Sequence, residues 1–232
     1  MFTLDKVVPW GRSFDEYQHL FALTPADLGR RIVGCGDGPA AFNAEATRRG
    51  GRVVSCDPLY AFTRDDIEAR IAATCDTVLE QTRRHADQFV WGHGIASIDE
   101  LGGVRMRAMR VFLEDYDAGK AAGRYVEASL PTLPFADRSF DLALCSHLLF
   151  LYSAQFDEAF HRASLREMLR VATDVRVFPL LALDGSRSPF VDACVAEARA
   201  AGAEVDVVKV SYEFQRGGNE MLRLRRGAAA AA

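Results

Sequence analysis

Apolar positions along the chain follow two rhythms, short β-branched runs and helical spacing, and the order in which they alternate predicts the fold. Phe14, Tyr17, Leu20 and Phe21 recur at helical spacing behind Ser13, with Glu16 three residues on as the second half of a capping box. A short amphipathic helix is therefore expected before Thr24-Pro25, and a further helical turn from Pro25 to Leu28. Arg31-Ile32-Val33 reads as a short buried strand halted by Gly34-Cys35-Gly36-Asp37-Gly38-Pro39. Alanine-rich Ala40 to Arg49 then reads as a helix ending at Gly50-Gly51. Arg52 to Cys56 is β-branched and stops at Asp57-Pro58, the second parallel strand of a βαβ unit.

From residue 62 to 123 the pattern changes to long charged-apolar helical segments. Asp65 to Phe89 and Met106 to Lys120 are the clearest, with a glycine-containing break expected from Gly92 to Gly103. This stretch reads as a helical insertion within one domain spanning 1–232. Strand character returns at Tyr125 to Ala128, Phe140 to Ser146 and Asp174 to Leu183. Ser153 to Val171 reads as a helix with Phe156, Phe160, Leu165 and Leu169 inward, and Pro189 to Ala201 as another. Glu204 to Val210 and Asn219 to Arg225 read as two late strands joined through Tyr212 to Gly218, ahead of an alanine tail, Ala228 to Ala232. The alternation of strands and helices is that of an α/β fold.

Composition narrows the class. At 232 residues, 49% hydrophobic and 26% charged, the chain suits one globular domain with a substantial core. A formal charge of −4 gives no overall positive field for nucleic acid. Cys35, Cys56, Cys75, Cys145 and Cys194 form no CxxC pair, so neither a zinc cage nor a disulfide framework is indicated and no metal site is expected. Met1 to Trp10 carries Asp5 and Pro9 and lacks the apolar core of a secretory signal. Leu142 to Tyr152, the longest apolar stretch, falls far short of the roughly 20 residues a membrane span requires. A cytoplasmic location is expected.

The chemistry concentrates where the first strand turns into a helix. Glycines 34, 36 and 38 let the backbone turn sharply and let a ligand approach the amides. Asp57 lies 19 residues after Gly38, at the carboxyl end of the second strand, where a carboxylate accepts hydrogen bonds from both hydroxyls of a ribose. Loop and acid together point to an adenosine cofactor. A dinucleotide loop places its third glycine three positions after the second, and Pro39 occupies that place, so NAD is the second choice.

Leu133-Pro134-Phe135, followed by Asp137, Ser139, Phe140 and Asp141, leads into the strand Leu142 to Ser146. With the glycine loop and Asp57, this order resembles the class I S-adenosylmethionine-dependent methyltransferases over Arg31 to Val177. The whole-chain pattern, including Val8 to Phe14 and Tyr212 to Asn219, resembles a bacterial subgroup of such proteins. The resemblance implies a Rossmann-like seven-stranded sheet, mostly parallel with an antiparallel last strand, and helices on both faces. It further implies S-adenosyl-L-methionine as cofactor, with Gly34, Cys35, Gly36, Asp37 and Gly38 along its methionine and ribose portion. Asp57 and Pro58 fall at the ribose, Ser129 and Leu130 beside the adenine, and Ser146 at the end of the central strand. Two positions depart from the family. Ile32 stands in place of its acid two residues before the first glycine, with Asp37 the nearby substitute. The acid beside adenine falls near Ser129, with Glu127 close by.

Methyl transfer from a sulfonium is an in-line displacement, so holding the acceptor about 3 Å from the methyl carbon supplies much of the rate. His147, at the carboxyl end of the central strand, is the best-placed histidine for a general base. His85, His93 and His161 fall in helical or inserted sequence and read as surface residues. Arg83, Arg84, Arg105, Arg107 and Arg110 read as solvated helix faces. Phe89, Trp91 and Tyr116 offer an aromatic lining, should the insertion act as a lid. A small-molecule acceptor is expected, since nothing points to a macromolecule. The alternatives are a protein or RNA methyltransferase, a nicotinamide-dependent oxidoreductase, and a cofactor-binding partner subunit without turnover.

Overall fold

The computed structural model of the chain describes residues 4, 7–92 and 95–227, so His93 and the tail Ala228 to Ala232 lie outside the described residues. Helix α1 (Phe14–Leu20) carries its capping box, Ser13 Oγ accepting from the Glu16 amide and Glu16 Oε2 from the Ser13 amide. Helix α2 (Pro25–Leu28) repeats the device with Thr24 and Asp27. The βαβ unit follows as β1 (Arg31–Cys35), α3 (Phe42–Arg48) and β2 (Arg52–Cys56). β1 runs two residues further than Arg31-Ile32-Val33, because Gly34 and Cys35 still pair with Ser55 and Cys56.

Next come α4 (Arg64–Arg84), α5 (Ile98–Ala121), β3 (Tyr125–Val126), β4 (Phe140–Ser146) and α6 (Glu158–Val171). The chain closes with β5 (Ala172–Phe178), α7 (Val191–Ala200), β6 (Ala203–Lys209) and β7 (Glu220–Arg226). The strands lie in the order β3-β2-β1-β4-β5-β7-β6, parallel except for β7, which runs antiparallel to both β5 and β6. The fold is the Rossmann-like seven-stranded sheet expected above.

Alternation along the strands covers both faces. Ile32, Val53, Leu142 and Leu144 pack with Phe14, Tyr17 and Leu20 of α1 and Phe42 of α3. Val33, Cys35, Ala143, Cys145, Val175 and Val177 pack with side chains of α6 and α7. The connection from β1 thus leaves toward one face and that from β4 toward the other. Their carboxyl ends diverge into a crevice, the place where open α/β sheets bind ligands.

β5 ends at Phe178 rather than Leu183, where its pairing with β4 stops, and three more boundaries differ from expectation for physical reasons. The Gly92 to Gly103 break is shorter, since α5 begins at Ile98 and takes in Gly102 and Gly103. A Cβ on Gly102 would stand 3.1 Å from Leu79 Cδ1, so that glycine serves the close approach of α4 and α5 rather than ending a helix. β3 has two residues, because β2 ends at Cys56 and offers no further partner. α6 starts at Glu158, where the Asp157 carboxylate accepts from the Phe160 amide at 2.8 Å. Its buried face is His161, Ser164, Leu165, Met168 and Val171, leaving Phe156 and Phe160 half-buried.

Candidate functional site

The crevice between β1 and β4 opens into a cavity of about 690 Å³, within the roughly 300–1,000 Å³ of small-molecule sites. Its wall includes Gly36, Asp37 and Gly38 after β1, and Asp57 and Pro58 after β2. Ser129 and Leu130 join it from the segment after β3, and Ser146 and His147 from the end of β4. Gly34 and Cys35 stand behind this wall, in β1 itself. The glycine loop is held in a conformation that suits glycine, with φ of +70° at Gly36 and +52° at Gly38. A Cβ on Gly36 would also come within 2.4 Å of Leu148 Cδ2.

Asp57 closes this loop. Its Oδ2 accepts from the Gly38 amide and its Oδ1 from the Leu59 amide, both at 2.8 Å. Each oxygen keeps a lone pair for a further donor. Burial pushes the Asp57 carboxyl up, and the two amides work against that shift.

Asp37 folds back toward β1. Its carboxylate accepts from Ser55 Oγ at 2.6 Å and from the Tyr17 hydroxyl at 2.8 Å. A Cβ on Gly34 would lie 1.8 Å from Asp37 Oδ2, so the glycine makes room for this acid. The group is buried yet borders the cavity, and no cation pairs with it among the described residues. Burial raises its pKa to about 6, against the opposing bonds from Ser55 and Tyr17.

His147 adopts φ of +56° and donates its amide to Phe178 O at 2.7 Å. Its Nδ1 stands 2.8 Å from Ser146 Oγ, and its ring meets that of Phe178 edge-on. Burial, then the charges of Arg12 and Arg105, hold the imidazole well below its usual pKa and therefore neutral. Behind it lies an ion cluster that the sequence reading missed. Arg105, read above as part of a solvated face, is fully buried, with Nη1 2.6 Å and 2.5 Å from the two oxygens of Glu16. Tyr212 donates its hydroxyl to Glu16 Oε1 at 2.9 Å. Burial opposes the Glu16 charge, but Arg105 and Arg12 hold its pKa down to about 2. The signal was legible in one respect, for Arg105 continues the stripe Leu101, Ala108, Met109, Phe112 that α5 buries.

Segment 62–123 contributes the roof. Thr74, Val78 and Thr82 of α4 line the cavity, as does Phe89. The Val90 amide donates to Phe214 O and the Arg216 amide to Gln88 O, each at 2.8 Å, so this segment is fastened to the β6–β7 connection. Phe89 stacks on Phe214 at 4.9 Å between ring centres. Of the other aromatics singled out, Trp91 packs behind this pair. Tyr116 belongs to the core, donating to Tyr60 O and Phe62 O. Phe156 and Phe160, expected in the core, stack on one another at 4.2 Å and line the cavity instead. His161, expected at the surface, is buried between Phe150 and Phe190.

No family model matches the chain. An uncharacterised protein of the archaeon Methanocaldococcus jannaschii is 31% identical over 225 residues, covering 97% of this chain and 98% of that protein. Among solved structures, the chain is similar to magnesium protoporphyrin IX methyltransferase from Synechocystis with bound S-adenosylmethionine. That likeness has a TM-score of 0.46 at 11% identity and covers 87% of this chain and 73% of that one. A TehB-like S-adenosylmethionine-dependent methyltransferase from Corynebacterium glutamicum gives 0.43 at 13% identity, over 86% of this chain and 81% of that one.

Proposed function

The chain belongs to one family with the Methanocaldococcus jannaschii protein, and we propose that it is a methyltransferase that transfers the methyl group of S-adenosyl-L-methionine to a small molecule. The observation that carries this reading is the convergence of the glycine loop, Asp57 and buried Asp37 on one cavity at the β1/β4 crevice of a class I sheet. The wall fits the cofactor's polar parts. The Asp57 carboxylate, already oriented by two amides, has lone pairs free for the ribose hydroxyls. Asp37 is a buried anion with no cation paired to it among the described residues, and the cofactor carries two positive groups, its ammonium and its sulfonium. It thereby takes over from the acid that Ile32 replaces.

Ser129 and Leu130 would flank the adenine. Beyond the cofactor's share, Phe89, Phe156, Phe160, Phe178 and Phe214 make an apolar compartment, which supports an acceptor with an apolar body. For this chemistry the protein's main contribution is alignment of the acceptor and exclusion of water. In that role segment 62–123 acts as a lid within the single domain. His147, neutral and with Nδ1 engaged by Ser146, is the group we assign to accept a proton from a hydroxyl acceptor. Five free thiols, with no helix among the described residues long and apolar enough to cross a membrane, support work in the cytoplasm.

The test is a calorimetric titration of the purified protein with S-adenosylmethionine, S-adenosylhomocysteine and NAD. Binding of the two sulfur ligands at one site, without NAD, is the expected result. Preference for NAD overturns the assignment.

A further inference from the structure

The ion cluster behind His147 does not balance. Arg12, Arg105 and Glu16 lie together in the protein interior, two cations to one anion. The lone carboxylate is already taken, receiving both close contacts from Arg105 Nη1, the Tyr212 hydroxyl and the Ser13 amide. Arg12 is left at its margin, its Nε 4.0 Å from Glu16 Oε1 and without a hydrogen-bond partner among the described residues. Among the described residues its guanidinium makes one hydrogen bond, from Nη1 to Trp10 O at 2.8 Å. The side chain is only 11% exposed, yet it lines the cavity. A guanidinium has five donors in a planar fork, and leaving one desolvated with most of them idle is costly unless an anion completes it.

The backbone is arranged to put the fork there. A Cβ on Gly11 would lie 2.1 Å from Pro39 O, so glycine lets this segment lie against the β1 loop. The Ala41 amide donates to Arg12 O at 2.9 Å, fixing the residue beside Gly38-Pro39. The arginine therefore stands between the glycine loop and His147.

We propose that Arg12 is a carboxylate anchor of this cavity, its fork completing the charge of the cluster by pairing with a carboxylate of a bound ligand. Two sources present that group to this place: the amino-acid end of S-adenosylmethionine, or an acidic substituent on the acceptor. The first source rests on the methyltransferase reading, whereas the second requires only that a small molecule bearing an acidic group binds in the cavity. The charge count favours a carboxylate over a dianion, since one surplus positive charge is balanced by one negative charge.

The experiment compares wild type with Arg12→Gln and Arg12→Lys by calorimetry, with folding checked by near-ultraviolet circular dichroism. The probes are S-adenosylhomocysteine, 5′-methylthioadenosine, which lacks the amino-acid end, and a benzoate and hexanoate pair read by thermal shift with and without S-adenosylhomocysteine. If the cofactor supplies the carboxylate, Arg12→Gln weakens S-adenosylhomocysteine roughly 10- to 150-fold, leaves methylthioadenosine unchanged, and Arg12→Lys recovers part of the loss. If the acceptor supplies it, both nucleosides bind as before and the carboxylate-induced shift of wild type disappears in Arg12→Gln. Equal responses of wild type and Arg12→Gln to every probe overturn the proposal. Failure of wild type to bind S-adenosylhomocysteine counts against the methyltransferase reading alone, because the benzoate and hexanoate arm still reads Arg12.

Discussion

Replacing Asp57 separates its two roles. In the structure its oxygens accept the Gly38 and Leu59 amides, so Asp57→Ala leaves both amides to water at the cavity mouth. At about 1 kcal/mol for each bond, the fold loses about 2 kcal/mol. For a chain of 232 residues that is a fall of roughly 4–8 °C in Tm. Cofactor binding loses something different, a charged acceptor for the ribose hydroxyls worth about 1.5–3 kcal/mol, or roughly 10- to 150-fold in Kd. Asp57→Asn keeps one carbonyl oxygen, so it lies between wild type and alanine in both readouts. Thermal unfolding measures the first loss and calorimetry with S-adenosylhomocysteine the second. A variant that melts earlier yet binds within twofold of wild type would refute the ribose assignment and leave Asp57 a brace for the loop.

Three further outcomes follow from the charges around the cavity. Asp37 has a folded-state pKa raised from 3.8 to about 6, so its contribution to stability is full below pH 3.8 and is lost as pH rises through 6, on the order of 3 kcal/mol. Asp37→Asn should flatten that step in cofactor-free unfolding curves. Affinity for S-adenosylmethionine should be level above pH 7 and fall below 6 in wild type only, whereas equal pH profiles would remove Asp37 from the site. Glu16 runs the other way, its pKa depressed from 4.5 to about 2. Its stabilisation is present above 4.5 and lost as pH falls toward 2. Glu16→Gln strands Arg105, with an expected cost of about 3–5 kcal/mol by denaturant unfolding at pH 7, and a loss below 1 kcal/mol would show the pair to be incidental. With an acceptor in hand, His147→Ala should lower kcat roughly 10²- to 10⁴-fold with S-adenosylhomocysteine affinity unchanged. Undiminished kcat assigns His147 to the wall.

The sheet was legible because its strands are short, β-branched and bounded by Gly, Pro and Asp, and β2 and β4 fall on the expected residues. The glycine loop and Asp57 were legible because they are local, a strand end followed by residues in a conformation that favours glycine. What escaped was long-range. Arg105 continues the buried stripe of α5, but its partner Glu16 stands 89 residues away, and only the fold brings the two together. Gly102 and Gly103 read as a break because close helix packing and helix termination use the same residue. Phe156 and Phe160 carried helical spacing, but spacing does not say whether an apolar face meets core or cavity. Arg12 gave no signal of its own in a segment without regular structure. Its meaning comes from Gly11, which brings it against the β1 loop, and from a partner already engaged elsewhere.

A crystal structure of the complex with S-adenosylhomocysteine tests the central claim most directly. The account predicts the ribose hydroxyls within hydrogen-bond distance of Asp57, the adenine against Ser129 and Leu130, and the amino group on Asp37. Ligand bound outside this cavity, or bound within it with the ribose turned away from Asp57, would contradict the account.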